Sequence, residues 1–401
     1  MHSSFDRLWQ QIAEIGRDPR SGGYRRFAWT AADAQLREWF AGAAAERGMD
    51  LDTDRAGNQW AWWGDPDSGR AEGRAGVVTG SHLDSVPDGG AYDGPLGVIS
   101  AFAALDELRA AGAQPRRPIG IVNFGDEEGA RFGVACAGSR ILTGALAADR
   151  ARTLRDGDGV TMAEAIDRAG ADAATLGRDD ETLRRVGAFV ELHVEQGRGL
   201  AELQRPIALG SGIWPHGRWR IELNGQANHA GTTGLADRVD PMLAFADVVH
   251  AVRDSARRHD ALATCGKVLV APNGVNAIPA RVTAWLDARG ADAQRVRAVA
   301  ADVEQVAAGA DGTLTEESWT AATSFDPDLT PRLAALLDDA PLLATGAGHD
   351  AGILGGAGVA TAMLFVRNPS GVSHSPAEFA EHDDCVAGVA ALAAVLTELT
   401  G

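Results

Sequence analysis

The sequence predicts an α/β fold: a domain built on a mainly parallel sheet, with a smaller ferredoxin-like α+β domain inserted into it. In the first third of the chain, short apolar segments alternate with amphipathic ones, which is typical of parallel strands covered by helices on both faces. After residue 210 the order becomes β-α-β-β-α-β, the ferredoxin-like plan. The chain of 401 residues is also long enough for two domains.

The larger domain is predicted to comprise residues 1–209 and 324–401. Thr30 is placed to N-cap a helix that runs to about Arg47, because a threonine hydroxyl accepts from free amides at a helix start. A second helix, 96–111, stops at Gly112, as helices often do. Another helix at about 384–399 closes the domain. The apolar segments predicted as strands are 58–63, 77–81, 119–124, 186–192 and 361–366.

The smaller domain is predicted to comprise residues 210–323. Its first strand is 219–223, and an amphipathic helix follows at 241–258. Two strands then flank a turn rich in proline, asparagine and glycine. A second helix and a last strand complete the unit. The remaining predicted elements are the strands 267–271 and 281–287, the helix 291–308 and the strand 312–320.

Composition argues against several kinds of partner. A net charge of -18 repels nucleic acid and anionic membranes, and the sequence has no apolar segment of membrane-spanning length. The segment Met1–Asp6 lacks the features of a secretory signal. Cys136, Cys265 and Cys385 form no CxxC pair, which favours a reducing compartment. We therefore expect a cytoplasmic protein.

Histidines and acids follow four of the predicted strands. His82 comes directly after the strand 77–81, His193 after 186–192, and His374 lies in the loop after 361–366. The strand 119–124 leads into Glu127 and Glu128. Because ligands of open α/β sheets bind at the carboxyl ends of the strands, we expect these side chains to meet there.

These residue types point to a metal site. Imidazole and carboxylate donors suit zinc or manganese, without the thiolates of a structural zinc site. Asp84 is placed to hydrogen-bond the His82 ring and fix its tautomer without binding the metal itself. Asp93, in a loop with three glycines, could bridge two ions about 3.5–4 Å apart. Each feature alone is ordinary, since most histidines are simply hydrogen-bonded side chains, but their joint position at strand ends predicts a metal site.

At these positions the sequence resembles the carbamoylase branch of the aminoacylase/carboxypeptidase-G-like binuclear metallohydrolases. That branch holds allantoate amidohydrolase, N-carbamoyl-L-amino acid hydrolase and β-ureidopropionase. The motifs occur in order between residues 80 and 378. They are GSHLDSVPDGGAYDG (80–94), EEGARF (127–132), HVEQG (193–197), NHAGTT (228–233), NAIP (276–279), GAGHDA (346–351) and SHSPAE (373–378).

The resemblance implies two divalent ions per chain. His82 and His193 would bind one ion, Glu128 and His374 the other, and Asp93 would bridge them. Zinc or manganese would be the native metal, and cobalt or nickel could replace it in vitro.

The resemblance also implies the roles of five further residues. Glu127 would be the general base. The smaller domain would act as a lid and dimerisation domain, and its His229 would stabilise the oxyanion from the partner subunit of a homodimer. Gln196, Asn276 and Arg289 would hold the substrate, with Arg289 pairing bidentately with its carboxylate.

The implied reaction is cleavage of the ureido C–N bond of a small carboxylate, with release of ammonia and carbon dioxide. Allantoate is the first choice, because residues 364–372 resemble allantoate amidohydrolases more than carbamoylases. N-carbamoyl-L-amino acids and β-ureidopropionate are the alternatives. Two departures bear on the substrate: Arg198 and Leu235 stand where the family commonly has proline.

Three other interpretations stay open at this point. One is a dipeptidase or aminoacylase on the same fold, against which Gln196 and the 228–233 motif argue. A second is an inactive binding protein, against which the complete set of metal-site residues argues. A third is an α/β enzyme without a metal.

Overall fold

A computed structural model describes residues 3–71 and 73–401. The chain divides into two compact units, Met1–Gly212 with Ser324–Gly401, and Ile213–Thr323. The first boundary lies a few residues beyond the predicted 209, because residues 207–213 form a strand of the larger sheet. Of the segment Met1–Asp6, in which we expect no secretory signal, the first two residues lie outside the described residues.

The strands of both units, in chain order, are β1 (Asp50–Thr53), β2 (Gln59–Trp63), β3 (Gly76–His82), β4 (Ile119–Phe124), β5 (Val186–Val194), β6 (Ile207–Ile213), β7 (His216–Asn224), β8 (Asn228–His229), β9 (Ala261–Ala271), β10 (Ala277–Ile278), β11 (Arg281–Gly290), β12 (Thr313–Thr320), β13 (Thr323–Ser324), β14 (Leu342–Thr345) and β15 (Ala360–Val366). The helices are α1 (Ser4–Ile12), α2 (Ala31–Glu46), α3 (Pro66–Ala71), α4 (Pro95–Ala110), α5 (Ala137–Thr143), α6 (Ala148–Thr153), α7 (Met162–Arg168), α8 (Asp180–Arg185), α9 (Gly199–Leu203), α10 (Pro241–Arg258), α11 (Ala293–Gly309), α12 (Leu329–Leu336), α13 (Asp350–Gly356) and α14 (His382–Thr400).

The predicted mainly parallel α/β fold is confirmed in the larger unit. Among the described residues its strands follow the order β1-β2-β4-β3-β5-β15-β6-β13, and β14 pairs with β6. The four central strands β4, β3, β5 and β15 are mutually parallel. On either side of them the pairing becomes antiparallel, between β2 and β4 and between β15 and β6.

The central strands are buried along almost their whole length, as expected of a parallel sheet covered on both faces. Helix α4 lies between β3 and β5 on one side and α14 on the other, so its apolar residues are buried around the whole helix. Thr30 caps α2 as predicted, with its side chain accepting from the Asp33 amide. This packing fixes the strand ends that carry the candidate site.

The smaller unit has the predicted β-α-β-β-α-β order. Its four-stranded sheet runs β12-β7-β11-β9, antiparallel throughout. Helices α10 and α11 cover one face, and a separate apolar core includes Trp219, Val248, Leu286 and Val299. The short strands β8 and β10 form a separate antiparallel pair outside this sheet.

The structure also bears on compartment and membranes. No helix among the described residues has the length and apolar character needed to cross a bilayer. Cys136, Cys265 and Cys385 are all free thiols.

Candidate metal centre and active site

Four adjacent strands deliver the candidate metal residues to one edge of the larger sheet. His82 is the last residue of β3 and His193 the penultimate residue of β5. Glu127 and Glu128 follow β4, and His374 follows β15. Since these strands are neighbours and parallel, their carboxyl ends meet, as the sequence predicts.

Asp93 lies between two groups of possible metal ligands. Its Oδ1 is 3.2 Å from Nε2 of His193 and 3.7 Å from Nε2 of His82. Its Oδ2 is 3.3 Å from Nε2 of His374, which is itself 3.6 Å from Oε2 of Glu128. One carboxylate therefore faces both groups, in the division that the resemblance implies.

The two buried histidines are held with Nε2 towards Asp93. Nδ1 of His82 is 3.2 Å from the carbonyl oxygen of Asp84, and Nδ1 of His193 is 2.9 Å from that of Val194. A carbonyl can only accept, so Nδ1 carries the proton in each ring. The Nε2 lone pairs are then available to an ion, which is the usual orientation of a metal-binding histidine.

Asp84 connects His82 to the acidic pair after β4. Its Oδ1 lies 3.3 Å from Nδ1 of His82. Its two oxygens also accept from the backbone amides of Glu127 and Glu128, each at 3.1 Å. Asp84 thus orients one imidazole and fixes the loop that carries both glutamates.

Two glycines allow the close packing of this loop cluster. Gly94 has φ of +85°, and a Cβ there would lie 2.4 Å from the His82 ring. A Cβ on Gly90 would lie 2.4 Å from the side chain of Glu378. Both positions therefore exclude any larger residue without movement of the site.

Buried carboxylates dominate the electrostatics. Burial raises the pKa of Glu127 well above its ordinary value, and burial together with Asp93 raises the pKa of Glu128 to about 7. The close contact with the Asp93 carboxylate raises the pKa of His374 to about 9. Burial acts to raise the pKa of Asp93 too, but its close contacts with the histidines hold it well below its usual range. The buried carboxyl groups after β4 therefore hold negative charge poorly on their own, which favours uptake of a proton or binding of a cation.

The residues present fit a pair of divalent cations. Within residues 3–71 and 73–401, Nε2 of His82, Nε2 of His193 and Oε1 of Glu128 are buried and have no hydrogen-bond partner. Buried polar atoms are rarely left in this state unless something else binds them. The donors are imidazole and carboxylate, which suits zinc or manganese.

Gln196 lies within this centre. Its Nε2 donates to Oδ2 of Asp93 at 2.8 Å and to Oγ of Ser373 at 3.2 Å, and it lies 3.4 Å from Nε2 of His374. The residue expected to hold the substrate therefore also contacts the carboxylate shared by the two groups.

The other three residues expected at the substrate lie in the smaller unit. His229 pairs with Ala277 across the β8–β10 ladder. The carbonyl of Asn276 accepts from the Ala230 amide at 2.9 Å, so His229 and Asn276 belong to one local structure. Arg289 is at the end of β11, where its guanidinium contacts Asp287 through Nε at 2.7 Å and Nη2 at 3.2 Å.

The His229 ring has a defined tautomer. Its Nδ1 accepts a hydrogen bond of 3.0 Å from the Gly231 amide. In the neutral ring the proton must then be on Nε2, which makes Nε2 a donor. The side chain is exposed, so this donor is accessible, as stabilisation of an oxyanion requires.

The model of peptidase family M20/M25/M40 matches residues 78–398. The chain belongs to this family. An N-carbamoyl-L-amino acid amidohydrolase of Geobacillus stearothermophilus is 36% identical, over 96% of this chain and 96% of that protein. An allantoate amidohydrolase of Escherichia coli K12 is 32% identical, over 97% and 95%. The crystal structure of a hydantoinase/carbamoylase family amidase from Burkholderia vietnamiensis aligns with a TM-score of 0.86 and 31% identity, over 99% and 97% of the two chains.

The resemblance to the carbamoylase branch is thereby confirmed, and with it the fold. Within this M20/M25/M40 chain, one residue of the HVEQG motif has a structural function: Glu195 accepts from the amides of Gly199 and Leu200 at 2.6 and 2.9 Å. It therefore caps the start of α9. The sequence of the motif alone does not distinguish a glutamate that caps a helix from one that binds a metal ion.

The sequence reasoning missed several residues that contact the centre. Cys136 donates from its thiol to Oε1 of Glu127 at 3.1 Å. Ser373 and Glu378 lie against the Asp93 loop. Glu191 forms a further buried group with His193 and His349. Ser373, Glu378 and His349 lie in the family motifs at 373–378 and 346–351, so those motifs were the available signal. Cys136 and Glu191 lie outside the motifs.

Proposed function

We propose that this chain is a metal-dependent amidohydrolase that cleaves the ureido C–N bond of a small carboxylate, releasing ammonia and carbon dioxide. The observation that carries the proposal is Asp93, shared between the group with His82 and His193 and the group with Glu128 and His374. These five residues would hold two divalent ions. Bound there, the ions would lower the pKa of water towards about 7 and polarise the ureido carbonyl.

Glu127 would act as the general base. Its Oε2 is 3.7 Å from Nε2 of His82, while its Oε1 accepts from Cys136, so it lies beside the first group without belonging to either. Its carboxylate would take a proton from the attacking water, whose oxygen bonds to the ureido carbon. The same proton would pass to the terminal nitrogen, which leaves as ammonia. The remaining carbamate loses carbon dioxide.

Three residues would hold the substrate, and one would stabilise the oxyanion. Gln196 lies at the metal residues, and Asn276 and Arg289 lie in the smaller unit. The contact with Asp287 fixes the plane of the Arg289 guanidinium, which favours bidentate pairing with a planar carboxylate. His229 would donate from Nε2 to the oxyanion, from the partner subunit.

Allantoate remains the first choice of substrate, and N-carbamoyl-L-amino acids are the second. The segment 364–372, on which the choice of allantoate depends, shapes the loop before His374. The side chain of Asn368 bonds the backbone of Ser370, Gly371 and Val372, and Arg367 pairs with Asp384 at 2.7 Å. The similarity to an N-carbamoyl-L-amino acid amidohydrolase supports the second choice.

Ammonia release from a panel of substrates tests the proposal. The panel contains allantoate, N-carbamoyl-L-amino acids and N-carbamoyl-β-alanine, together with an N-acetyl amino acid and a dipeptide assayed for the free amine. We expect turnover of at least one ureido acid and little of the last two. Faster cleavage of the dipeptide or the acetyl compound would contradict the proposal and favour the dipeptidase or aminoacylase interpretation.

We also propose a homodimer formed through the smaller unit. Strand β9 is at the edge of its sheet, and an edge strand presents unpaired backbone groups to a second chain. Leu262 and Leu269 on β9 and Leu243 on α10 are 61%, 56% and 69% exposed. Exposed apolar side chains on an edge strand and on the helix that packs against it support an interface with a second copy.

A cytoplasmic location is a further proposal. It is supported by the three free thiols, of which Cys136 and Cys385 are buried. Fractionation of cells that express the tagged chain would test it, and recovery in a secreted or membrane fraction would contradict it.

A further inference from the structure

Glu378 joins the two loops that carry Asp93 and His374. Its side chain is buried, with 5% of its surface exposed. Oε1 accepts from the backbone amides of Tyr92 and Asp93, both at 2.9 Å. Oε2 accepts from the hydroxyl of Ser373 at 2.8 Å. Glu378 touches none of the possible ligand atoms itself, so any effect on metal binding would act through other residues.

The hydroxyl of Ser373 has two acceptors within reach. It lies 2.8 Å from Oε2 of Glu378 and 3.2 Å from Oδ2 of Asp93. A serine hydroxyl has one proton and can donate to one of them at a time. The contact with Glu378 is the shorter, and it directs the proton away from Asp93.

That direction matters because Asp93 Oδ2 already accepts one hydrogen bond. Gln196 donates to it from Nε2 at 2.8 Å. An ionised carboxylate oxygen has about two lone-pair positions, so one remains on Oδ2. A second donation to Oδ2, from Ser373, would compete with an ion for the lone pair that remains.

We propose that Glu378 is a positioning residue that keeps the Ser373 proton off Asp93, so that Oδ2 retains a lone pair for an ion. The inference rests on the proposed metal centre. It differs from a purely structural role, in which Glu378 only ties the loop at residues 90–93 to the segment at 373–378. The two roles make opposite predictions for removal of the Ser373 hydroxyl.

Metal affinity of Glu378→Gln is the first measurement. The glutamine carbonyl can still accept from the Tyr92 and Asp93 amides, but its NH₂ group donates to Ser373. The hydroxyl proton then turns to Asp93. We expect the more weakly bound zinc ion to lose about 10- to 100-fold in affinity, as for other residues that support metal ligands. Competition with a chromophoric chelator measures this without reference to activity.

The decisive variant is Glu378→Gln combined with Ser373→Ala. With no hydroxyl, nothing occupies the second lone pair of Asp93, and most of the lost affinity should return. Ser373→Ala alone is the matched control and should bind zinc much as the wild type does. Glu378→Asp, with and without Ser373→Ala, repeats the comparison with the charge retained, because the shorter side chain withdraws from the serine.

The outcomes separate this inference from the proposed function. If the wild-type chain binds no zinc, the metal centre and the inference both fail. If the wild type binds two ions and Glu378→Gln binds them equally well, only the inference fails. If Ser373→Ala leaves the loss unchanged or deepens it, the inference fails and Glu378 only holds the two loops together. Thermal unfolding of each metal-free variant shows whether it is folded. If the Glu378→Gln variants do not fold, the same comparison is made with Glu378→Asp, with and without Ser373→Ala.

Discussion

Apart from the exposed His374 and the half-buried Arg289, the two units of this chain hold their main candidate residues in opposite ways. In the larger unit His82 and His193 are 1% exposed and Asp93 is 6% exposed, and hydrogen bonds fix each one. In the smaller unit His229 and Asn276 are exposed, and their fixed contacts are with backbone in a short two-stranded ladder.

The difference indicates that the two units contribute differently to the proposed reaction. Buried, oriented donors can hold an ion with little reorganisation, and the groups of possible metal ligands in the described part of the chain lie in the larger unit. Exposed donors on a separate unit suit recognition of a substrate. Substitutions of the metal and base residues in the larger unit should therefore affect metal binding and proton transfer, and those in the smaller unit the binding of the substrate and of the oxyanion formed from it.

Glu127→Gln should have the largest effect on rate without changing metal content. Removing a general base costs about 10²- to 10⁴-fold in kcat, and Glu127 belongs to neither ligand group. Glu195→Gln is the matched control, because Glu195 is also a buried carboxylate but caps α9. It should lose far less activity. Near-normal turnover by Glu127→Gln would show that Glu127 is not the general base.

His229→Ala should reduce kcat by about 10²- to 10³-fold, the usual cost of losing an oxyanion donor, with unchanged metal content. His250→Ala, an exposed histidine on α10, is the control and should stay at the wild-type rate. If the donor comes from a partner subunit, mixing His229→Ala with Glu127→Ala chains should restore activity. No restoration in mixed dimers would contradict the partner-subunit role.

Arg289→Lys should lower kcat/KM by about 10- to 100-fold, the range for a lost hydrogen bond to a charged group. The loss should largely vanish when the substrate carboxylate is replaced by a neutral amide. Arg218→Lys is a matched control, since Arg218 also pairs with Asp287, at 3.2 Å. An equal loss with both substrates would show that Arg289 supports the fold of the smaller unit.

Leu269→Lys should weaken dimerisation by about tenfold or more, because burying a leucine contributes roughly 1.5–3 kcal/mol. Leu51→Lys places the same charge on an exposed strand of the larger unit and should leave association unchanged. Light scattering over a concentration series measures both. An unchanged dimer in Leu269→Lys, or a fully active wild-type monomer, would count against this interface.

The larger unit was also the more predictable from sequence. Apolar strand patterns ending in His82, Glu127 and His193 locate the edge of the sheet, because parallel strands place their carboxyl ends together. The connection from Glu378 to Asp93 spans 285 positions, so no local spacing could indicate it. The short helices α5 to α9 were missed because segments of five to seven residues have too few turns to show periodicity.

Edges of the sheets were predicted less well. The sequence predicts the strand at 267–271, whereas β9 begins at Ala261. The inward-facing residues of its first half are the small Ala261, Ala263 and Cys265, which give only a weak apolar alternation. Strand β6 contains two glycines and was missed, although its antiparallel pairing with β15 extends the main sheet. Helix α1 was missed despite an available signal, the capping box formed by Ser3 and Asp6.

Metal content measured against activity tests the central claim most directly. The purified chain is analysed for divalent ions after mild dialysis, stripped with a chelator, and then titrated with zinc or manganese while turnover of a ureido acid is followed. We predict up to two ions per chain, loss of turnover on stripping, and recovery as the ions return. Full activity in the metal-free chain would contradict the account.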